Sequence, residues 1–216
     1  MLRGVHKLRG FVIHAIDGEI GKIIDFYFDY SDWKIHYAIV KLGDLFQTRD
    51  VLICVSQLGP SGLSGISSDL TTVQVQKSPV IDSTKPLTRD KDLELQKHYG
   101  IKCINYTNNK DSSLQKIFTL KDFTLISNDG EAGRVEDIII DDEIWFVKYL
   151  VISTGSWTGK RVLLDISISK KINWEQSRIE FDLSEKKVSN APKYDPFVPL
   201  LPENEIELKN YFQKEK

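Results

Sequence analysis

Four kinds of residue pattern are scarce or missing in this chain of 216 residues, and each absence excludes something. There are only two cysteines, Cys54 and Cys103, too few for a disulfide framework, although one bridge between them is arithmetically open. No apolar run approaches the roughly 20 residues that a membrane-spanning helix needs. The basic N-terminal residues Arg3, His6, Lys7 and Arg9 are followed by an apolar stretch, Phe11 to Ile16, that is too short for a signal-peptide core of about 7–15 residues. A cytoplasmic location is the expectation from these features. Neither sign of charge dominates: the formal net charge is -2, which argues against a phosphate backbone as the main partner, because phosphate binding needs a concentrated positive field.

Chemical signatures are equally sparse. The four histidines, His6, His14, His36 and His98, have no zinc-like spacing. The glycine-rich Gly59 to Gly65 lacks the Lys-Ser/Thr and following helix of a phosphate loop. Cys54 has no neighbouring base in the sequence and reads as an inert thiol. No catalytic residue, cofactor or metal is expected, and the chain is read as a non-enzyme.

What is present is a long repeat. Leu8–Gly43 overlays Leu120–Gly155 without a gap at a constant offset of 112, with eleven of 36 positions identical. They include Asp17/Asp129, Gly18/Gly130, Glu19/Glu131, Gly21/Gly133, Asp25/Asp137, Asp29/Asp141, Trp33/Trp145 and Tyr37/Tyr149. The match resumes at "VLICVS" and "VLLDIS", and again where "SPVIDSTKPL" meets "APKYDPFVPL". A short insertion in the second copy is placed near Ser184–Asn190. A period of this size is a small domain, not a solenoid unit. The expected organisation is a first domain over residues 1–104, a polar linker over 105–113, and a second domain over 114–216.

Within one copy, Asp17-Gly18 and Asp129-Gly130 stand between β-rich runs and suit type I′ hairpin turns. Ile24, Phe26 and Phe28 alternate with Asp25, Tyr27 and Asp29, the period of a half-buried strand. "WKIHYAIVKL" and "WFVKYLVIST" read as the next strand, "VLICV" and "VLLDI" as another, and "TTVQVQ" and "SRIEFDL" as the last. Many short strands at close spacing argue for a small barrel or sandwich. Leu93, Leu95 and Tyr99 in one copy, and Ile206, Leu208 and Phe212 in the other, have the spacing of a short amphipathic helix. The fold class expected is mainly β: two homologous small barrels in tandem, each followed by a short helix.

The run "DGEIGKIIDFYFD", the Trp and Tyr that follow it, Gly43, "VLI" and the terminal helix resemble the PRC-barrel family, twice over, across almost the whole chain. That resemblance implies a small β-barrel that works by docking to a larger assembly. Gly18, Gly21, Trp33, Tyr37, Gly130, Gly133, Trp145 and Tyr149 are then structural equivalents. His36 and Lys148 occupy the place where the family has an Arg, and Trp157 has Leu45 as its counterpart. These three, His36, Lys148 and Trp157, are the candidate partner-binding residues. The expected function is a non-catalytic adaptor for another protein or assembly. The alternatives are a peripheral accessory of membrane electron transport or a ribosome- or RNA-associated factor.

The shared carboxylates read mainly as solvated turn formers. Asp25 and Asp29 share a strand face but lie roughly 13 Å apart, too far for one metal. Asp29 and Asp32 can approach across their turn and hold a weak hard cation.

Overall fold

The computed structural model describes residues 1–43, 48–63, 65–104, 114–155 and 159–213. The expected linker, 105–113, lies outside the described residues. The protein is mainly β, and it divides into two compact units. The first comprises Met1, Arg3–Phe118 and Asp141–Val147; the second comprises Leu2, Thr119–Ile140 and Lys148–Lys216.

The chain begins with β1 (Leu2–Gly4) and α1 (Val5–Leu8), followed by β2 (Val12–Ala15), β3 (Gly18–Asp29), β4 (Lys34–Gly43) and β5 (Thr48–Cys54). Then come β6 (Leu58–Ser61), β7 (Gly65–Ser68), α2 (Thr72–Gln76), α3 (Arg89–Tyr99) and β8 (Leu114–Lys116). In the first unit the strands lie in the order β5-β4-β3-β2-β7-β6, with β8 beside the far end of β3. All pairs are antiparallel except β2 with β7.

The remaining elements are β9 (Thr124–Ile126), β10 (Glu131–Asp141), β11 (Phe146–Thr154), β12 (Lys160–Asp165), β13 (Ser169–Asn173), β14 (Arg178–Phe181), α4 (Glu185–Ser189) and α5 (Pro202–Gln213). The second unit's order is β12-β11-β10-β9-β14-β13, and again one pair, β9 with β14, is parallel. Strand for strand this is the order of the first unit. Among the described residues the ladder closes in neither unit: β5 and β6 end one order, β12 and β13 the other.

Three local expectations are corrected. "TTVQVQ" is not a strand but the helix α2. Thr71 accepts from the Gln74 amide while the Gln74 side chain accepts from the Thr71 amide, a reciprocal cap that favours a helical start over an extended one. Ser184–Asn190 is likewise no insertion. It forms α4, the counterpart of α2, capped by Ser184. The two extra residues lie instead in the β13–β14 hairpin, since Cys54 matches Asp165 at an offset of 111 and Ser68 matches Phe181 at 113.

The third correction concerns the Asp-Gly turns. A type I′ turn needs positive φ at both central residues. Gly18 (φ 152) and Gly130 (φ 153) have it, but neither Asp does. The aspartates cap helices instead. Asp17 accepts from the Thr72 amide (2.7 Å) and hydroxyl (3.1 Å) at the start of α2. Asp129 accepts from the Glu185 amide (2.6 Å) at the start of α4. That amide, with the Ser127 hydroxyl, holds the Asp129 carboxyl below its ordinary range.

The core departs from strict alternation in both copies, since runs such as Tyr37–Val40 and Ile138–Ile140 are buried throughout. Phe26, Tyr27 and Phe28 are all buried, although strict alternation puts Tyr27 outside. Tyr27 is covered because its hydroxyl donates to the Lys85 carbonyl at 2.7 Å, and burial pushes its phenol up to about 12. In the second unit Ile139, Tyr149, Val151 and Leu163 pack with Leu208 of α5, and Leu200 and Phe212 complete the cluster. Burying five such side chains is the main stabilising term there, at about 1.5–3 kcal/mol each.

Candidate functional site

Each unit carries an open groove along the early part of its long strand. The first, about 1020 Å³, is lined by His6, Arg9, Val12, Glu19, Ile20, Gly21, Lys22, Ile23, Lys41, Gly43 and Thr48, among others. The second, about 750 Å³, is lined by Asp122, Glu131, Ala132, Gly133, Arg134, Val135, Glu136, Ser153, Gly155, Lys160 and Glu185, among others. Nine lining positions are equivalent at the offset of 112, from Gly10/Asp122 through Glu19/Glu131 and Lys22/Arg134 to Gly43/Gly155.

The same backbone device opens both grooves. Where β2 meets β3, Ile13 pairs with Gly21 and His14 with Glu19, so Ile20 is an extra, bulged residue. Where β9 meets β10, Leu125 pairs with Gly133 and Ile126 with Glu131, so Ala132 is extra. A bulge bends its strand and re-aims the side chains around it. The following glycine allows a close crossing. A Cβ on Gly21 would meet the Lys41 carbonyl oxygen at 2.3 Å, and one on Gly133 would meet the Ser153 carbonyl oxygen at 2.4 Å. Those two carbonyls also correspond at 112. The shared "DGExG" run therefore encodes a cap, a bulge and a crossing.

Charge separates the grooves. The first places Arg9, Lys22, Lys41 and His6 against the single acid Glu19. Arg9 is held in place, its guanidinium on the Ile24 carbonyl (2.7 Å) and 4.0 Å from the Phe118 ring centre. Lys41 pairs with Asp50 at 3.2 Å, and Lys22 is exposed. The second groove places Asp122, Glu131, Glu136 and Glu185 against Arg134 and Lys160. Here Arg134 faces Glu131 at 3.7 Å, Lys160 donates to the Ser189 carbonyl at 2.6 Å, and among the acids Glu136 is paired with Arg161. One groove is basic and its counterpart acidic.

Away from the grooves, each β4-type strand is tied to its unit's long helix. The Tyr37 hydroxyl donates to Asp92 of α3, a fully buried carboxylate that Gln96 also contacts. The Tyr149 hydroxyl donates to Glu205 of α5 at 2.8 Å. Burial, reinforced by that carboxylate, raises the Tyr149 phenol above its ordinary range.

The sequence-predicted partner residues fall elsewhere. His36 is half-buried on β4, with Nδ1 3.0 Å from the Cys103 carbonyl oxygen. Lys148 is half-buried on β11. Trp157 and its counterpart Leu45 lie outside the described residues. Trp33 and Trp145 are buried, each in the left-handed region (φ 62 and 52). Neither His36 nor Lys148 lines a groove. The groove positions were visible in the sequence as conserved spacing between the two copies, but Glu19 and Lys22 read there as turn and strand residues.

Cys54 is not the expected inert thiol. It is bridged to Cys103, joining the end of β5 to the segment after α3 across 49 positions. Tyr37 and Cys54 are register partners on β4 and β5, so the bridge lies next to the strand position that bears His36.

No helix among the described residues is long and apolar enough to cross a membrane. No family model matches the chain, and no curated protein matches it.

Proposed function

We propose that the chain is a non-catalytic binding protein made of two copies of one PRC-barrel-like module, each offering the same groove to a macromolecular partner. The observation that carries this reading is the position-by-position match between the two grooves. Bulge, crossing glycine and flanking charged residues recur at one offset, and so does the aspartate that caps the neighbouring helix. A duplicated module keeps such a set when the surface it shapes is used in both copies.

The opposite charges then assign different occupants. The first groove suits an acidic segment, with apolar contacts from Val12, Ile20 and Ile23 between its cations. The second suits a basic one. Two linked sites raise effective affinity for a partner carrying both without further contacts. Binding in this way involves no turnover by the chain itself.

Photo-crosslinking in the host tests this. A benzophenone amino acid is placed at Glu19 or at Glu131, both exposed and both on a groove, with Leu63, 97% exposed and lining neither, as the control position. Adducts with the same macromolecule from both groove positions, and none from Leu63, support the reading. Adducts no different from the control reject it.

A further inference from the structure

The turn between β3 and β4 adds His36 to the Asp29 and Asp32 pair whose approach across that turn the sequence allowed. We propose that Asp29, Asp32 and His36 form a binding site for a divalent transition-metal ion, with Zn²⁺ as the best-matched occupant. One donor atom from each lies within 4.8 Å of the other two, and among the described residues no other group of three His, Cys, Asp or Glu does so. Asp29 ends β3, His36 is the third residue of β4, and Trp33, in the left-handed conformation, closes the turn that brings them together.

Each carboxylate is oriented through one oxygen. Asp29 Oδ1 accepts from the Ser31 amide at 2.8 Å, and Asp32 Oδ1 accepts from the Lys34 amide at 3.1 Å. Each keeps a second oxygen that can serve as a donor. On Asp32 that oxygen now faces the Lys34 ammonium at 3.3 Å, an exposed pair that a divalent ion displaces at little cost.

The histidine supplies an independent argument, because its orienting partner is not part of the group. Nδ1 lies 3.0 Å from the Cys103 carbonyl oxygen. A carbonyl only accepts, so Nδ1 is the donor in this contact, and in the neutral ring Nε2 is then the nitrogen with the lone pair that binds metal. Histidines that ligate metals are usually oriented by such a second contact. Here the carbonyl is itself anchored, since Cys103 is bridged to Cys54 on β5.

Two carboxylates and a neutral imidazole neutralise one divalent charge. The imidazole favours Zn²⁺ and its transition neighbours over Mg²⁺ or Ca²⁺, which take oxygen donors. Remaining coordination positions open to water. The second copy has no such group among the described residues. At the same offset Asp141 is kept, but Ile144 stands for Asp32 and Lys148 for His36. The ion therefore distinguishes one module from its copy.

The test is calorimetric titration of the oxidised full-length protein with Zn²⁺, and with Mn²⁺ followed by loss of the free-ion spin-resonance signal. The expected result is one saturable Zn²⁺ site per chain. His36→Lys, which installs the second unit's residue, and Asp32→Asn, in the exposed turn, each weaken binding by at least about tenfold. Asp165→Asn, outside the group, leaves it unchanged. Circular dichroism and melting of each metal-free variant check the fold, and Asp32→Asn alone decides the matter if His36→Lys does not fold. Absence of saturable binding, or equal affinity in wild type and Asp32→Asn, overturns the proposal.

Discussion

Trp33 and Trp145 are joined by a reciprocal exchange of backbone hydrogen bonds. The Trp33 carbonyl accepts from the Val147 amide at 3.0 Å, and the Trp145 carbonyl accepts from the Ile35 amide at 2.8 Å. Ile35 and Val147 are themselves 112 apart, so each tryptophan makes to the other's neighbour the bond it receives. All four residues lie in the first compact unit. Both turns are left-handed at their tryptophan, a conformation costing roughly 1–2 kcal/mol for a residue with a Cβ. The rings offset that cost by packing: Trp33 against Phe28 with centres 5.7 Å apart, and Trp145 against Phe26 at 5.8 Å.

Trp145→Ala therefore loses about 3–5 kcal/mol of stability in denaturant unfolding. Trp33→Gly should be less damaging than Trp33→Ala, by about 1 kcal/mol, because glycine removes the left-handed strain that alanine keeps. Equal losses for the two replacements contradict the role given to the backbone.

Asp25 gives stability a pH dependence. Its Oδ1 accepts from the Phe26 amide (2.8 Å) and the Phe118 amide (3.1 Å), but burial outweighs both and raises the carboxyl to about 6. A carboxyl raised in the folded state contributes its stability below its unfolded pKa of about 4 and loses it as pH rises through the folded value. Melting from pH 4 to 7 should show that decline. Asp25→Asn keeps an acceptor for both amides, so it should flatten the profile and gain on the order of 1 kcal/mol at pH 7, discounted for partial exposure.

The Cys54–Cys103 bridge closes a long loop, and the loop-entropy model assigns it about 4 kcal/mol. Reduction, or Cys54→Ala combined with Cys103→Ala, should lower the unfolding free energy by about 2–4 kcal/mol. No change in the denaturation midpoint would mean that the thiols are not bridged in solution.

Gly21 and Gly133 should resist every side chain, because the obstacle is a backbone oxygen of the neighbouring strand and not a movable side chain. Gly133→Ala, with its φ of 142 adding strain, should cost at least about 2 kcal/mol, against about 1 kcal/mol or less at the open, exposed Gly155.

Much of this arrangement was legible in the residues. The alternation around Phe26 and Phe28, the Asp-Gly runs and the 112-residue offset locate the long strands. The rest depended on contacts that spacing does not carry. "TTVQVQ" alternates like a strand, and that alternation masked its local Thr71/Gln74 capping box, to which Asp17, 55 positions away, adds a second cap. Tyr27 is buried by a carbonyl 58 positions on. With only two cysteines the Cys54–Cys103 pairing was open in the sequence, but nothing in the spacing showed that the two meet. Asp29, Asp32 and His36 looked like turn residues and a lone histidine, because their convergence comes from the left-handed Trp33. The grooves were hidden for a similar reason: Glu19 and Lys22 are ordinary surface residues until a bulge at Ile20 turns them toward one space.

The most direct measurement of the central claim, that the grooves are binding sites, is the affinity of the partner identified by crosslinking for the wild type and for Lys22→Glu. Lys22 is exposed and its charge lies on the basic groove. Reversing it should weaken binding by about tenfold or more at low salt, with the difference shrinking as salt screens the charge, and leave the melting temperature unchanged. Unaltered affinity at every salt concentration would contradict the account.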